Sequence, residues 1–264
     1  MKSYGSVALA AFLALFVCAS ASSDSSTPLV FDANSVGAPL SNASAELFVP
    51  PGAGPFPAIV VLHGCDGIGR HYRMWARQLR AWGYIALLVD SFRPRGLTTI
   101  CNHGMTVPPT LRAQDAFNAA AYLRSLSNVT PDRIGIIGFS HGGWAILKAV
   151  LAENTSRSHA EPFAVAVAFY PGCDPPHSGL VTDTLILVGE ADDWTPAKRC
   201  AQWRDLIDAG QHTVVLKTYP DARHGFDAPT PPHLYAGHLV GRSPDAAEDA
   251  VSETRAFFAA HLMR

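Results

Sequence analysis

The sequence predicts an α/β fold: a mostly parallel central sheet with helices on both faces and no large lid. Three observations carry this. Short apolar runs recur at 58–62, 85–89, 133–137, 164–169, 184–188 and 214–219, each the length of a strand. Helical stretches at 72–82, 111–126, 143–151 and 246–262 are interleaved with them, and alternation of this kind implies crossover connections and a parallel sheet. The chain has 264 residues, 48% hydrophobic and 16% charged, enough for one large core and too little for a second substantial domain.

The first 21 residues read as a secretory leader. Lys2 supplies the positive end, 7–17 is an unbroken run of apolar and small residues, and Ala19-Ser20-Ala21 suits cleavage. The run is too short for a comfortable membrane span. The expected mature domain is 22–264, periplasmic or secreted. Cys18 offers lipoprotein anchoring as a rival, which the bulky Val17 before it disfavours. Residues 29–32 and 45–49 read as early strands, and 50–57, rich in proline and glycine, as a turn. Residues 58–62 form a buried strand with a glycine-rich exit, His63-Gly64-Cys65-Asp66-Gly67. The helix at 72–82 carries Trp75, Leu79 and Trp82 on one face. After the strand at 85–89, an irregular loop over 91–109 holds Arg93, Arg95, Cys101 and His103. The helix at 111–126 and a turn at Pro131-Asp132 lead into the strand at 133–137. Strands at 164–169, 184–188 and 214–219 and a helix at 246–262 complete the chain.

The segment leaving the strand at 133–137 is the most specific feature. Gly138-Phe139-Ser140-His141-Gly142 is a G-x-S-x-G between a buried strand and a helix, the setting of a nucleophile elbow. The sharp turn exposes the serine oxygen, and the glycines remove side chains where strand and helix nearly touch. Two later strand exits supply partners. Residues 184–188 run into Gly189-Glu190-Ala191-Asp192-Asp193, and 214–219 run into a loop with His224 before Gly225. The order Ser, Asp, His, each past the carboxyl end of a strand, is that of an α/β-hydrolase fold. A serine hydroxyl needs a histidine to take its proton and a carboxylate to orient that imidazole. Ser140 is therefore the expected nucleophile, His224 the general base and acid, and Asp192 the orienting acid, with Asp193 its rival by one residue of register. The backbone N–H groups of Cys65 and His141 are the expected oxyanion donors. His63 is expected to brace its loop by hydrogen bonding.

The chain resembles the dienelactone hydrolase family. The resemblance rests on Val61-Leu62-His63-Gly64-Cys65, Trp82-Gly83-Tyr84, Val89-Asp90-Ser91-Phe92, residues 138–143, residues 189–193 and residues 219–226. It implies hydrolysis of an ester or lactone, and it favours Asp192 over Asp193. The founding enzymes use a cysteine nucleophile, where this chain has Ser140, which points to an ordinary esterase or lactonase mechanism. They also hold a substrate carboxylate with arginines. Arg93 and Arg95 lie in a comparable loop, but Gly225-Phe226-Asp227-Ala228 has no arginine, so dienelactone itself is not implied. Trp194 and Phe226, with Trp144 and Tyr170, are candidates to line an apolar substrate pocket.

Removing Cys18 leaves Cys65, Cys101, Cys173 and Cys200, an even number that suits two disulfides in an oxidising compartment. Topology favours Cys65–Cys101 and Cys173–Cys200, because each pair lies in loops leaving neighbouring strands at the same end of the sheet. The net charge of -2 argues against a nucleic-acid partner. Histidine and cysteine spacings suggest no metal site, and no cofactor is implied. The expected partner is a small ester or lactone substrate, with no stable membrane span once the leader is cut. Oligomeric state is not legible. The alternatives are a peptidase or polymeric-ester hydrolase on the same fold, and a non-catalytic binding protein on a hydrolase scaffold.

Overall fold

Short runs of Val, Ile, Leu and Ala with no polar alternation suit strands buried on both faces. The computed structural model, which describes residue 1, residues 26–32 and residues 42–263, buries 58–62, 85–89, 134–137, 165–169 and 184–188, and places 214–219 at the partly exposed sheet edge. Of the leader expected over 1–21, residues 2–21, Cys18 among them, lie outside the described residues. β3 (Phe56–Leu62), β4 (Ile85–Asp90), β5 (Val129–Phe139), β6 (Val165–Phe169), β7 (Thr184–Gly189) and β8 (Val214–Tyr219) pair in parallel. β1 (Thr27–Asp32) and β2 (Asn42–Phe48) add an antiparallel edge. The eight strands lie in the order β1-β2-β4-β3-β5-β6-β7-β8.

That order fixes where the helices go. From β3 the chain passes through α1 (Arg70–Ala81) to β4 on one side, then through α2 (Pro109–Arg124) back across β3 to β5. Right-handed crossovers in opposite directions put α1 and α2 on opposite faces. α3 (His141–Ala149) packs on α2, and α5 (Ala197–Leu206) follows β7. α6 (Pro244–Leu262) packs on β5, β6 and β7. The core is continuous: Ile59, Val60, Val61, Leu87, Ile136 and Val167 are fully buried. Each such side chain contributes roughly 1.5–3 kcal/mol.

The structure departs from the sequence expectations at several points. Pro131-Asp132, expected as a turn, lies inside β5; Phe56 pairs with Val129 but Ala58 with Ile134, so the intervening residues bulge outward and are exposed. A short helix, α4 (Ala152–Arg157), was not anticipated. Nor was a small hairpin, β9 (His233–Tyr235) with β10 (His238–Val240), inside the loop after His224.

The loops at the carboxyl ends of the strands are held by their own packing. Cys65, Phe92, Ile100 and Val107 form a second apolar cluster joined by Leu97, Leu111 and Trp194. It fastens the irregular segment after β4 to the exit of β3. The structure pairs Cys65 with Cys101 (S–S 2.06 Å) and Cys173 with Cys200 (2.08 Å).

Candidate active site

β5 leads into Ser140, whose backbone stands at φ 53°, ψ -116°. That region costs a non-glycine residue about 1–3 kcal/mol, so the surroundings must impose it. They do: Ser140 N–H donates to the Phe169 carbonyl (2.9 Å), and the Ser140 carbonyl accepts the Trp144 N–H (2.9 Å). Gly138 and Gly142 permit the turn. A Cβ on Gly138 would sit 2.7 Å from the Gly142 backbone, and one on Gly142 would collide with the carbonyls of Leu62 and His63. The elbow is thus pressed against the exit of β3.

The strand exits of β7 and β8 bring two more side chains to Ser140. His224 Nε2 lies 2.8 Å from Ser140 Oγ, and His224 Nδ1 lies 2.8 Å from Asp192 Oδ2. Asp192 Oδ1 accepts the backbone N–H groups of Trp194 (2.9 Å) and Thr195 (2.8 Å). The Thr195 hydroxyl lies 2.9 Å from Asp192 Oδ2 and 3.0 Å from the Tyr170 carbonyl. Burial by itself raises a carboxyl pKa, but the hydrogen bonds from His224 and Thr195 outweigh it and hold Asp192 below the usual range. An ionised Asp192 accepts the hydrogen bond of the His224 Nδ1–H and so leaves the Nε2 lone pair facing Ser140 Oγ. The rival, Asp193, is exposed and turned to His238 (3.2 Å). Neither the Cys65 nor the His141 backbone N–H makes a backbone hydrogen bond among the described residues, and both residues line the space beside Ser140.

Two clefts meet at the serine. One, of about 240 Å³, is walled by Cys65, Cys101, His141, Trp144 and Trp194. The other, of about 370 Å³, is walled by Asp66, His71, Tyr170, His224 and Tyr235. Trp194 borders both; its ring lies 5.0 Å from His224 and stacks on His238 at 4.6 Å. Trp144 and Tyr170 line one cleft each. The remaining substrate-binding candidates are not brought to the site. Phe226 is fully buried among Phe169, Tyr170 and Tyr219, because its apolar ring completes the core under the loop. Arg95 is committed to Asp115 (2.8 Å twice) and the Ser91 carbonyl (2.6 Å). Arg93 is 65% exposed beside Asp90 and lines neither cleft. The arginines that line the clefts are Arg70 and Arg199. Among the described residues no three His, Cys, Asp or Glu side chains group to hold a metal ion.

Sequence reasoning missed two buried polar networks. Asp227 accepts hydrogen bonds from Tyr170 Oη (2.7 Å), Trp75 Nε1 (2.7 Å) and His71 Nε2 (2.8 Å), tying the His224 loop to α1 and β6. Arg112, wholly buried in the first turn of α2, links the β3 exit to the elbow. Only its phase gives it away: Arg112 shares a helix face with Ala116, Ala119, Ala120 and Leu123, all buried. His63 Nδ1 donates to the Gly64 carbonyl (2.7 Å) and Nε2 accepts the Ser91 N–H (3.3 Å), a brace on its own loop.

Comparison with known proteins points the same way. Residues 44–262 match the dienelactone hydrolase family. A Bradyrhizobium protein named as a 2-oxo-3-(5-oxofuran-2-ylidene)propanoate lactonase is 26% identical over 237 residues, covering 83% of this chain and 89% of that one. A Klebsiella pneumoniae crystal structure bearing the name dienelactone hydrolase superposes with a TM-score of 0.69 at 22% identity, over 89% of this chain and 99% of that one. Esterase 2 of Thermogutta terrifontis, phosphorylated by paraoxon, superposes at 0.63 and 18% identity, over 88% and 94%.

Proposed function

The chain belongs to the dienelactone hydrolase family, and on that premise we propose that it cleaves small carboxylic esters or lactones through an acyl-enzyme on Ser140. One observation carries the reading: the unbroken chain from Ser140 Oγ through His224 to Asp192, 2.8 Å at each link. Ser140 Oγ attacks the carbonyl carbon while His224 Nε2 takes its proton. The carbonyl oxygen becomes an oxyanion, directed to the N–H groups of Cys65 and His141. Collapse breaks the ester C–O bond, and His224 returns the proton to the leaving oxygen. Water then attacks the acyl-enzyme, gives a proton to His224, and frees the acid and Ser140. With a lactone the leaving hydroxyl stays tethered to the acid. Asp192 holds the imidazole tautomer and stabilises its cation throughout.

The two clefts provide separate room for acyl and alcohol portions, and Trp194 divides them. Arg93 and Arg95 play no part in recognition on this reading. Export through a leader cut near residue 21 belongs to the same proposal, supported by two disulfides at the site end of the sheet. The test is turnover of a matched panel of short-chain aryl esters and lactones by the native chain and by Ser140→Ala. We expect turnover by the native chain and a loss on the order of a millionfold in the variant. Comparable hydrolysis by a folded Ser140→Ala chain refutes the proposal.

A further inference from the structure

A guanidinium buried in a protein interior costs several kcal/mol unless it is paired. Arg112 is 0% exposed, yet among the described residues no carboxylate lies within hydrogen-bond distance of it. Asp115, one turn along α2, is committed to Arg95. Asp66 accepts from the Tyr72 hydroxyl at 2.5 Å. What Arg112 does contact is specific. Its Nη2 donates to the His63 carbonyl (2.7 Å), two residues before Cys65. Its Nη1 lies 3.1 Å from Nδ1 of His141, the residue after Ser140. Its guanidinium carbon sits 5.0 Å from the centre of the Phe92 ring, and its Nε has no partner.

The tautomer of His141 fits this arrangement. His141 Nε2 donates to the Gly104 carbonyl (2.9 Å), so Nδ1 presents a lone pair to Arg112. His63 has its proton on Nδ1, facing Gly64. Burial, then the charge of Arg112, pushes the His141 pKa down to about 3 and that of His63 well below its ordinary value, so both rings stay neutral. Burial also pulls Arg112 down, to about 10, which leaves it charged at neutral pH. Arg112 is therefore the single cation in a set of neutral groups that joins the β3 exit, the loop at Gly104 and the elbow.

We propose that Arg112 is the positioning residue of the oxyanion hole. It fixes the spacing of the Cys65 and His141 N–H groups through His63 and His141, and its buried charge adds to the field on the developing oxyanion. The inference rests on the hydrolase reading above. It explains why this interior position holds a cation at all, where an apolar side chain would cost less.

The experiment compares the native chain with Arg112→Gln and Arg112→Lys, each normalised to sites titrated with a fluorophosphonate. kcat, KM and the affinity of a boronic acid, which forms a tetrahedral adduct on serine, are measured. With glutamine, kcat falls on the order of 10- to 100-fold, below the effect of losing a direct oxyanion donor. KM changes less than about twofold, and boronate affinity falls by the same factor as kcat/KM, as expected for a contribution to the transition state. Lysine restores part of the loss, because the charge remains while one ammonium cannot serve both acceptors. A purely packing role instead lowers thermal stability or the titratable fraction at unchanged kcat per site, and that result overturns the proposal. Should the glutamine chain not fold, the lysine variant decides: native kcat and boronate affinity overturn it. A native chain that neither turns over esters nor reacts with the probe overturns the hydrolase reading and this inference with it. A native chain that does both, matched by its variants, overturns the role of Arg112 alone.

Discussion

Replacing Asp227 tests whether the site loop is held from below. Its carboxylate is 1% exposed and accepts three hydrogen bonds, from Tyr170, Trp75 and His71. Asp227→Ala strands those three donors, two of them on wholly or nearly buried rings, at about 1–3 kcal/mol each before relaxation. It also leaves the partly buried His71 imidazole without its counter-ion, and breaking a buried pair costs about 3–5 kcal/mol in total. Asp227→Asn can still accept at one oxygen and should lose about 2 kcal/mol, the difference between charged and neutral hydrogen bonds. At roughly 2–4 °C per kcal/mol for a domain of this size, Tm falls by about 12 °C for alanine and about 6 °C for asparagine. The pH dependence follows from the two partners. Burial opposes the charge on Asp227, but attraction to His71 and its three hydrogen bonds outweigh burial and lower its pKa. Burial likewise opposes the charge on His71, and Asp227 outweighs it and raises that pKa. The lowered acid contributes above its unfolded pKa of about 3.9, and its contribution is lost as pH falls through the folded value. The raised imidazole contributes below about 6.5, and its contribution is lost as pH rises through its folded value. The native-minus-variant difference in Tm should therefore peak between about pH 4 and 6.5. Differential scanning calorimetry across pH 3–9 reads it (a range chosen to span roughly both transitions). An alanine variant that melts with the native chain, or a difference that does not vary with pH, refutes the reasoning.

Three further results are expected. Asp192→Asn lowers kcat on the order of 10⁴-fold by losing the imidazole's tautomer control, while Asp193→Asn stays within about twofold, measured on the best ester of the panel. Replacing Cys65 and Cys101 together by serine removes a cross-link spanning 36 residues. Chain entropy puts that at about 4 kcal/mol, so Tm should fall by about 10 °C, with a drop in kcat as the Cys65 loop loosens; an unchanged Tm argues against the brace. Removing Cys173 and Cys200, whose link spans 27 residues, costs about 3.5 kcal/mol by the same argument and leaves kcat closer to native, because that pair lies away from the β3 exit.

Features set by local physics were readable in advance. The strands β3 to β7 announce themselves because residues buried on both faces must be apolar; β8, at the partly exposed sheet edge, shows only a short apolar start. The elbow is readable because close approach of strand and helix demands glycine at 138 and 142. Asp192 and His224 are readable as two strand exits, with the resemblance favouring Asp192; that its carboxylate meets the Trp194 and Thr195 N–H groups is a matter of loop geometry. What escaped depends on tertiary contact. Nothing local tells His71 that it will meet Asp227, 156 residues on. Phe226 has the composition of a pocket residue but the burial of a core one. Arg95 has the composition of a substrate anchor, yet Asp115 neutralises it on the next helix. Arg112 is obscured for the opposite reason: a charge is expected on a surface, and this one sits beneath the site.

The most direct test is the intact mass of the native protein before and after a fluorophosphonate, then peptide mapping. The account predicts one adduct, carried by the peptide containing Ser140, lost in Ser140→Ala and strongly slowed in Asp192→Asn. No adduct on folded protein, or an adduct on a residue other than Ser140, would contradict it.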